Sequence, residues 1–390
     1  MKIKLISVAK FHHFHLATQL HKFKILDKIY SGYPRYKLLN AQNIPKSKIK
    51  TYPYYLLVYL FLIKFFLKPS NKIASYFQYL SHKKLSKKVA GNLTNVNVLI
   101  ASAGSGLEAG KKIKKLGGKF ICDRGSTHIM HQYEILKKEY EIYKIPFDNV
   151  VSAHIINREI EEYNIADIIS VPSTYVLNSF LNNGINRKKL FLNPYGVDLK
   201  KFYSIKKNKS KTFRVIFVGQ LSIRKGIFYL LEAFNKLKNE NKELILIGSI
   251  QNEIKEKVQR YIGNKIKYLS IIKNDDLVKY YSNSDVFVLP SIEDGLALVI
   301  AEALACGCPV IATENSGASD LFLNGKEGFI IKARSVDCIL EKLELLSADK
   351  TMQEEMSFNA IKLSKSIGGW DDYGKRWYTK LKSLETNLKN

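Results

Sequence analysis

Two short runs in the C-terminal half concentrate residues able to do chemistry. The first is Pro290–Pro309, PSIEDGLALVIAEALACGCP. Its acidic turn, Glu293-Asp294-Gly295, opens a helix-period segment containing Glu302. Free N–H groups at a helix start make an anion site, and the helix macrodipole reinforces it. Asp294 and Glu302 are eight residues apart, two helical turns, so the spacing predicts both carboxylates on one face. Carboxylates there suit the hydroxyls of a sugar or ribose, with backbone amides left for phosphate. The second run, Gly219–Gly226 (GQLSIRKG), follows the strand-like RVIFVG. Arg224 and Lys225 would stand at the start of the next helix. Two cations there suit a diphosphate, Arg offering planar bidentate bonds. Each feature alone also has a plain reading: Asp294 caps a helix, Glu302 is solvated, and Arg224-Lys225 is a solvated face.

The N-terminal half offers less specific candidates. Asp123-Arg124-Gly125-Ser126-Thr127-His128 follows the strand-like KFICD, and Ala9–His15 (AKFHHFH) follows KLISV. The second loop has no glycine, so its backbone cannot approach a phosphate freely. Lys10 with His12 and His13 supplies charge instead, or the loop faces an acceptor. With no carboxylate or cysteine near these histidines in sequence, no metal site is expected. Gly104-Ser105-Gly106-Leu107-Glu108-Ala109 follows VNVLIAS, and Asp123 ends the next strand. That is the dinucleotide fingerprint, and it keeps an NAD-dependent oxidoreductase as an alternative.

These loops need a frame. Short β-branched runs alternate with longer amphipathic segments: Lys4–Val8, Val96–Ser102, Lys119–Asp123 and Ile168–Pro172, then Arg214–Gly219, Glu243–Gly248, Ile266–Leu269, Val286–Pro290 and Val310–Thr313. The alternation predicts α/β architecture with parallel sheets covered on both faces, ligands sitting at the carboxyl ends of strands. A lysine-rich stretch at 199–211 reads as a linker between an N-terminal domain (1–198) and a C-terminal domain (212–366). The segment 367–390 reads as a helix returning to the first domain.

At 390 residues two domains are expected. The 46% hydrophobic content is globular, and a formal charge of +27 fits either composition bias or an anionic partner. No helix-turn-helix or RNA-binding aromatic motif accompanies the charge, so no nucleic-acid partner is expected. Four cysteines without zinc spacing fit free thiols in a reducing compartment. The N-terminus reads as a buried strand rather than a signal peptide. Tyr52–Leu67 (YPYYLLVYLFLIKFFL) is too short to span a bilayer and contains Lys64. With Lys50, Lys68 and Lys72 around it, it suits an anionic membrane surface, the alternative being a core helix.

Together the C-terminal runs resemble the retaining glycosyltransferases of family 4, also called group 1. The strand-Gly-x-x-x-x-Arg-Lys-Gly pattern is similar to that family's diphosphate loop. Ser284–Ser291 (SDVFVLPS), Ala303–Ile311 (ALACGCPVI) and Ser316-Gly317 follow in register. So do Ala166–Ser173 and Asn193–Asp198, with Tyr195 where Asn is usual. The resemblance implies a GT-B fold: two facing Rossmann-like domains around a cleft. It implies a nucleotide-diphosphate sugar donor, most often UDP-linked, held by Gly219, Arg224, Lys225, Asp294 and Glu302. The amides of Gly295, Leu296, Ala297 and Leu298 would face sugar and phosphate. Asp294, one methylene shorter than the usual Glu, would contact sugar hydroxyls, and Glu302 the ribose. His128 would face the sugar, with Arg124 and Ser126 supporting it; Lys10, His12 and His13 would lie on the acceptor side. The implied acceptor is a saccharide or lipid-linked saccharide, for cell-surface polysaccharide, at the inner face of the cell membrane. No cofactor is implied, and the missing Asp-x-Asp agrees with metal-independent hexosyl transfer. Family members are commonly described as using the leaving phosphate to take the acceptor proton. A catalytically silent, glycosyltransferase-like binding protein is the remaining alternative.

Overall fold

The computed structural model describes residues 1–38, 44–67, 72–148, 150–206 and 210–386. Among these residues thirteen strands form two sheets. The first holds β1 (Ile3–Ser7), β2 (Leu26–Ser31), β3 (Ile49–Thr51), β4 (Val98–Ser102), β5 (Lys119–Asp123), β6 (Ile168–Val171) and β7 (Leu190–Leu192), in the order β3-β2-β1-β4-β5-β6-β7. The second holds β8 (Phe213–Val218), β9 (Lys242–Ile247), β10 (Ile266–Leu269), β11 (Val286–Leu289), β12 (Val310–Thr313) and β13 (Gly328–Ile331), in the order β10-β9-β8-β11-β12-β13. All neighbours pair in parallel. β1, β4, β8, β11 and β12 are almost wholly buried, which is why apolar runs announced them. Strands β2, β3, β7 and β13 were not expected from sequence. Asp27 and Lys28 interrupt the first, β3 and β7 have three residues each, and Gly328 opens the last.

The strand order reverses direction between β1 and β4 and again between β8 and β11. Such switch points leave a crevice at the carboxyl ends. The loops AKFHHFH and GQLSIRKG leave β1 and β8, while PSIEDG leaves β11 and DRGST leaves β5. All the loops singled out for chemistry therefore open at these ends.

The chain passes from one sheet to the other and returns. Helix Trp370–Thr386 packs on helix His13–Lys22 of the first sheet's layer. Trp377 is fully buried with Phe191 edge-on at 5.1 Å, and Tyr378 stacks on Phe23. Arg376 donates to Asn193 Oδ1 at 2.6 Å and to the Pro194 carbonyl at 2.5 Å. The two crossings touch where Val197 N donates to Gly368 O at 3.4 Å.

Helix Tyr54–Phe65 buries only Leu56. Tyr54, Phe61, Phe65 and Phe66 are 70%, 54%, 60% and 69% exposed, and neighbouring Ile73 and Tyr76 are exposed too. The alternative of a core helix is thus set aside. Lys64 sits 4.9 Å over the Phe65 ring; Lys68 lies outside the described residues. No described helix is long and apolar enough to cross a membrane.

At the crossing, a Cβ added to Gly196 would lie 2.3 Å from the Gly369 carbonyl carbon. Backbone rather than a flexible side chain would have to yield, so Gly196→Ala is expected to cost about 2–4 kcal/mol. Urea unfolding measures this; an unchanged midpoint would show that the crossings tolerate separation.

Candidate active site

The loop after β8 closes onto the end of β11. Gly226 has φ +64, and a Cβ there would fall 2.0 Å from the Pro290 carbonyl oxygen. Glycine favours this left-handed backbone, and the absence of a Cβ is what allows the approach. Ile292 N then donates to Arg224 O at 2.9 Å, joining the two loops. Gly219, at φ +146, begins the turn. Arg224 Nε donates to Glu293 Oε2 at 2.8 Å, and its Nη2 reaches Ser126 Oγ at 3.4 Å and Asp294 Oδ1 at 3.5 Å. Lys225 Nζ pairs with Asp294 Oδ2. Sequence-expected Arg224, Lys225, Asp294 and Ser126 are brought together, and Gly219 opens the loop that carries the two cations.

Glu293 crosses between the sheets. Fully buried, it accepts from Thr127 N (3.1 Å), Thr127 Oγ1 (2.9 Å), Gln132 Nε2 (3.0 Å) and Arg224 Nε (2.8 Å). Burial alone would raise its carboxyl; Arg224 and these hydrogen bonds outweigh burial and hold it at about 2. Burial would likewise lower Arg224, and the adjacent Glu293 and Asp294 keep it above its ordinary value. Beside the clamp, a Cβ on Gly295 would lie 1.7 Å from Gly125 O, so the two loops meet backbone to backbone. Ser173 Oγ donates to Gly295 O at 2.5 Å.

Several expected placements need correction. The helix after the acidic turn is Leu298–Ala305, with Ala297 in the capping position. Asp294 therefore precedes the helix and does not share a face with Glu302. The intervening loop spends its hydrogen bonds elsewhere: Asp294 N donates to Asn315 O and Ala297 N to Ser316 O. Gly295 N donates to Asp294 Oδ1 at 3.0 Å. Of the amides of Gly295, Leu296, Ala297 and Leu298, those of Gly295 and Ala297 are thus already engaged. Glu302 accepts from Tyr281 Oη at 3.4 Å, and burial pushes its carboxyl up to about 7.

His128 caps helix Ile129–Ile142, its Nδ1 accepting from Met130 N, and its ring packs on Tyr163 and Phe180 at 5.0 and 5.1 Å. Nothing among its described contacts joins it to Asp294. Arg124 turns inward to Glu159 (3.0 Å), Gln132 (2.8 Å) and the Thr127 carbonyl, so it orients the clamp. Lys10 is exposed. His12 and His13 converge on Asp123 Oδ2 at 2.9 and 3.1 Å. The sequence reason for dismissing a metal, a missing carboxylate, fails here: the fold supplies Asp123, and the three ligand atoms lie within 4.8 Å of one another. Burial disfavours the Asp123 anion, but the two imidazoles hold it well below the usual carboxylate range. Burial also lowers His13.

The dinucleotide fingerprint is answered internally. Gly104 N and Gly106 N donate to buried Glu162 at 2.7 and 2.8 Å, amides that a pyrophosphate would need. Sequence reasoning missed Glu293 as a clamp, together with Thr127, Gln132 and Asp123. The one available signal was Asp123 at a strand end beside two histidine-rich or cationic loops.

The folded-state value of Glu293 lies below its ordinary 4.5. Its charge therefore stabilises the fold above that pH, and the benefit is lost as pH falls from 4.5 towards 2. Glu293→Gln, which leaves Arg224 without its buried partner, is expected to cost about 3 kcal/mol at pH 7. The gap between wild-type and variant melting temperatures should close across that acid window; a gap constant with pH would refute the assignment.

Comparison with known proteins follows the same division of the chain. Residues 200–363 match the family model described as glycosyl transferases group 1. The capsular polysaccharide biosynthesis glycosyltransferase CapM of Staphylococcus aureus is 30% identical over 218 residues, 54% of this chain and 56% of CapM. The UDP-Gal:alpha-D-GlcNAc-diphosphoundecaprenol alpha-1,3-galactosyltransferase of Escherichia coli is 29% identical over 184 residues, 43% of this chain and 48% of that protein. The match thus spans about half the length of these two relatives. Anabaena HepE, solved with UDP-glucose, superposes with a TM-score of 0.70 at 15% identity, covering 98% of this chain and 100% of HepE. That likeness gives the fold, GT-B. Through residues 200–363 the chain is thus similar to the glycosyl transferases group 1 family.

Proposed function

We propose that this chain is a retaining, metal-independent hexosyltransferase that moves a sugar from a nucleotide-diphosphate donor, UDP-linked, to a saccharide or lipid-linked saccharide acceptor in cell-surface polysaccharide synthesis. The observation that carries the reading is the pairing of Arg224 and Lys225 with Asp294 at the meeting of two strand-end loops. HepE binds UDP-glucose, and the Escherichia coli relative is named for a UDP-galactose donor and a diphosphoundecaprenol acceptor. In this reading residues 1–198 serve the acceptor, 212–366 the donor, and 367–390 close back on the first part.

The donor diphosphate takes Lys225 and the free Nη face of Arg224 away from Asp294. Asp294 is then released towards sugar hydroxyls, so cation and anion each exchange one partner for another. The bond from the anomeric carbon to the β-phosphate oxygen breaks with its electron pair on oxygen. Arg224, Lys225 and the start of helix Leu298–Ala305 stabilise that charge. The acceptor oxygen bonds the same carbon and loses its proton, which the leaving phosphate can take. Glu302 receives the ribose hydroxyls, polar partners beyond the Tyr281 hydroxyl that its carboxyl has among the described residues. His128, as a helix cap, supports the loop Gly125–Thr127 rather than the sugar.

The test is donor turnover by the full chain with UDP-sugars. Alanine at Arg224 or Lys225 is expected to lower kcat about 10²–10³-fold, and at Glu302 to raise the donor KM. EDTA should leave the wild-type rate unchanged. Wild-type rates in all three variants would refute the donor site; complete loss in EDTA, restored by Mg²⁺, would refute metal independence.

The exposed aromatic helix Tyr54–Phe65 supports docking of the first domain on the inner membrane face. Tyrosines suit the headgroup zone, and Lys50, Lys64 and Lys72 each add about 1 kcal/mol near anionic lipid. Liposome flotation is expected to recover the chain with phosphatidylglycerol vesicles at low salt. Phe61→Ser with Phe65→Ser should abolish recovery; flotation by neither wild type nor variant would end the membrane reading.

A further inference from the structure

One cavity of about 340 Å³ lies between the two sheets' loops, lined by Phe11, His12, His15, Tyr195, Leu298 and Trp370. Leu298 is the first residue of the helix that follows the donor loop; Trp370 begins the returning C-terminal helix. Three observations give the cavity a chemical character. First, His15 and Trp370 stack at 3.7 Å with 8° between their planes, and Phe11 beside them is 58% exposed. Flat aromatic faces of this kind pack against the apolar C–H face of a pyranose ring. Second, the Tyr195 side chain is 8% exposed, and its hydroxyl has no hydrogen-bond partner among the described residues. A buried hydroxyl left unpaired is costly, and an incoming polar group relieves the cost. Third, His12 Nε2 is fixed on Asp123 Oδ2 at 2.9 Å, and the His12 ring lies 4.4 Å from that of Tyr195.

Gly125 ties these groups to the donor loop. A Cβ there would lie 2.9 Å from the Tyr195 hydroxyl and 3.6 Å from His12 Cε1, and Gly125 O is itself in contact with Gly295. The Tyr195 hydroxyl and the His12 ring edge therefore converge one backbone away from Gly295 and Asp294.

We propose that this cavity is a saccharide subsite: the accepting sugar ring lies on the Trp370–His15 pair, and its attacking hydroxyl bonds to His12 and Tyr195. Asp123 is a positioning residue, holding the imidazole. The C-terminal helix thus contributes to binding the acceptor as well as closing the chain. This deepens the transfer reading above and rests on it for the word acceptor, although the pocket's affinity for a sugar does not depend on that reading.

The chain has two tryptophans, and Trp377 is fully buried against Phe191, so Trp370 reports on the cavity. The experiment titrates the full-length protein with the methyl glycosides of glucose, galactose and N-acetylglucosamine, with and without saturating UDP, following tryptophan emission. At least one glycoside is expected to give a saturable change that disappears in Trp370→Phe. Tyr195→Phe, which removes only an unpaired hydroxyl, and His12→Gln, which can still donate to Asp123, should each weaken it about tenfold, one hydrogen bond's worth. UDP affinity, read by thermal shift, should be unchanged in both. No saturable change with any of the three glycosides would overturn the proposal, and so would a change indifferent to all three substitutions. If UDP fails to stabilise the protein while a glycoside still binds through these residues, the subsite stands and the donor reading falls.

Discussion

One buried carboxylate holds the two halves in register. Glu293 carries a negative charge at a position without solvent, which is tolerable only while every lone pair is met. Thr127 and Gln132 meet it from the first sheet's side and Arg224 from the second's. That arrangement fixes where the Arg224 guanidinium sits, leaves its Nη2 edge towards Ser126 and Asp294, and brings Gly125 against Gly295. Around the rim, Glu139 joins Tyr229 and Arg334 at 2.8 and 2.6 Å, and Asp320 caps Thr174 N at 2.9 Å. The Asp320 contact is exposed and worth less; Glu139 is itself fully buried and lies away from the donor loops. The buried clamp is the one on which the site's geometry depends.

The three acids of the C-terminal motif are separated by environment rather than by type. Glu293 is saturated with donors and stays ionised to about pH 2. Glu302 has one tyrosine hydroxyl and little else, and burial carries it to about 7. Asp294 lies between them in sequence but faces the cations. A motif written as acid-x7-acid does not say which of two adjacent acids belongs to it. The two differ in their partners: the longer Glu293 is committed to the opposite sheet, and the shorter Asp294 faces Arg224 and Lys225.

How much of this was legible in the sequence follows the same physics. Strands buried on both faces announce themselves as apolar runs, so β1, β4, β5, β6, β8, β9, β11 and β12 were readable; β10, though half-exposed, kept its β-branched start, and β2, with Asp27 and Lys28 half-exposed, was not readable. The loops with Arg224, Lys225 and Asp294 were readable because glycines and charges cluster at strand ends. The helix start was misjudged by about one turn, because the loop 293–297 gives its amides to Asn315 and Ser316, partners no local pattern reveals. His128 was chosen by position, yet a histidine side chain can also cap a helix, and here Nδ1 does. Asp123 was visible only as part of a dinucleotide fingerprint. Its partners His12 and His13 are more than a hundred residues away, and long-range side-chain pairing leaves no periodic trace.

The chain's two crossings constrain how the cleft can change. They lie against each other at Gly196 and Gly369, and Arg376 pins the first crossing to the returning helix through Asn193 and Pro194. Because the returning helix is packed on helix His13–Lys22, both crossings join the sheets along one edge, while Glu139, Tyr140 and Thr174 make further side-chain contacts across to the second part. A separation of the loops that keeps the crossings intact is a rotation about that edge, with the largest displacement far from it. Such a rotation breaks the Gly125–Gly295 contact and the Glu293 clamp together, leaving a carboxylate and a guanidinium to be rehydrated at once. Rehydration offsets much of the lost pairing, because both ions regain water. The same buried charge that fixes the closed geometry thereby keeps opening within reach, which an apolar interface of equal area would not do.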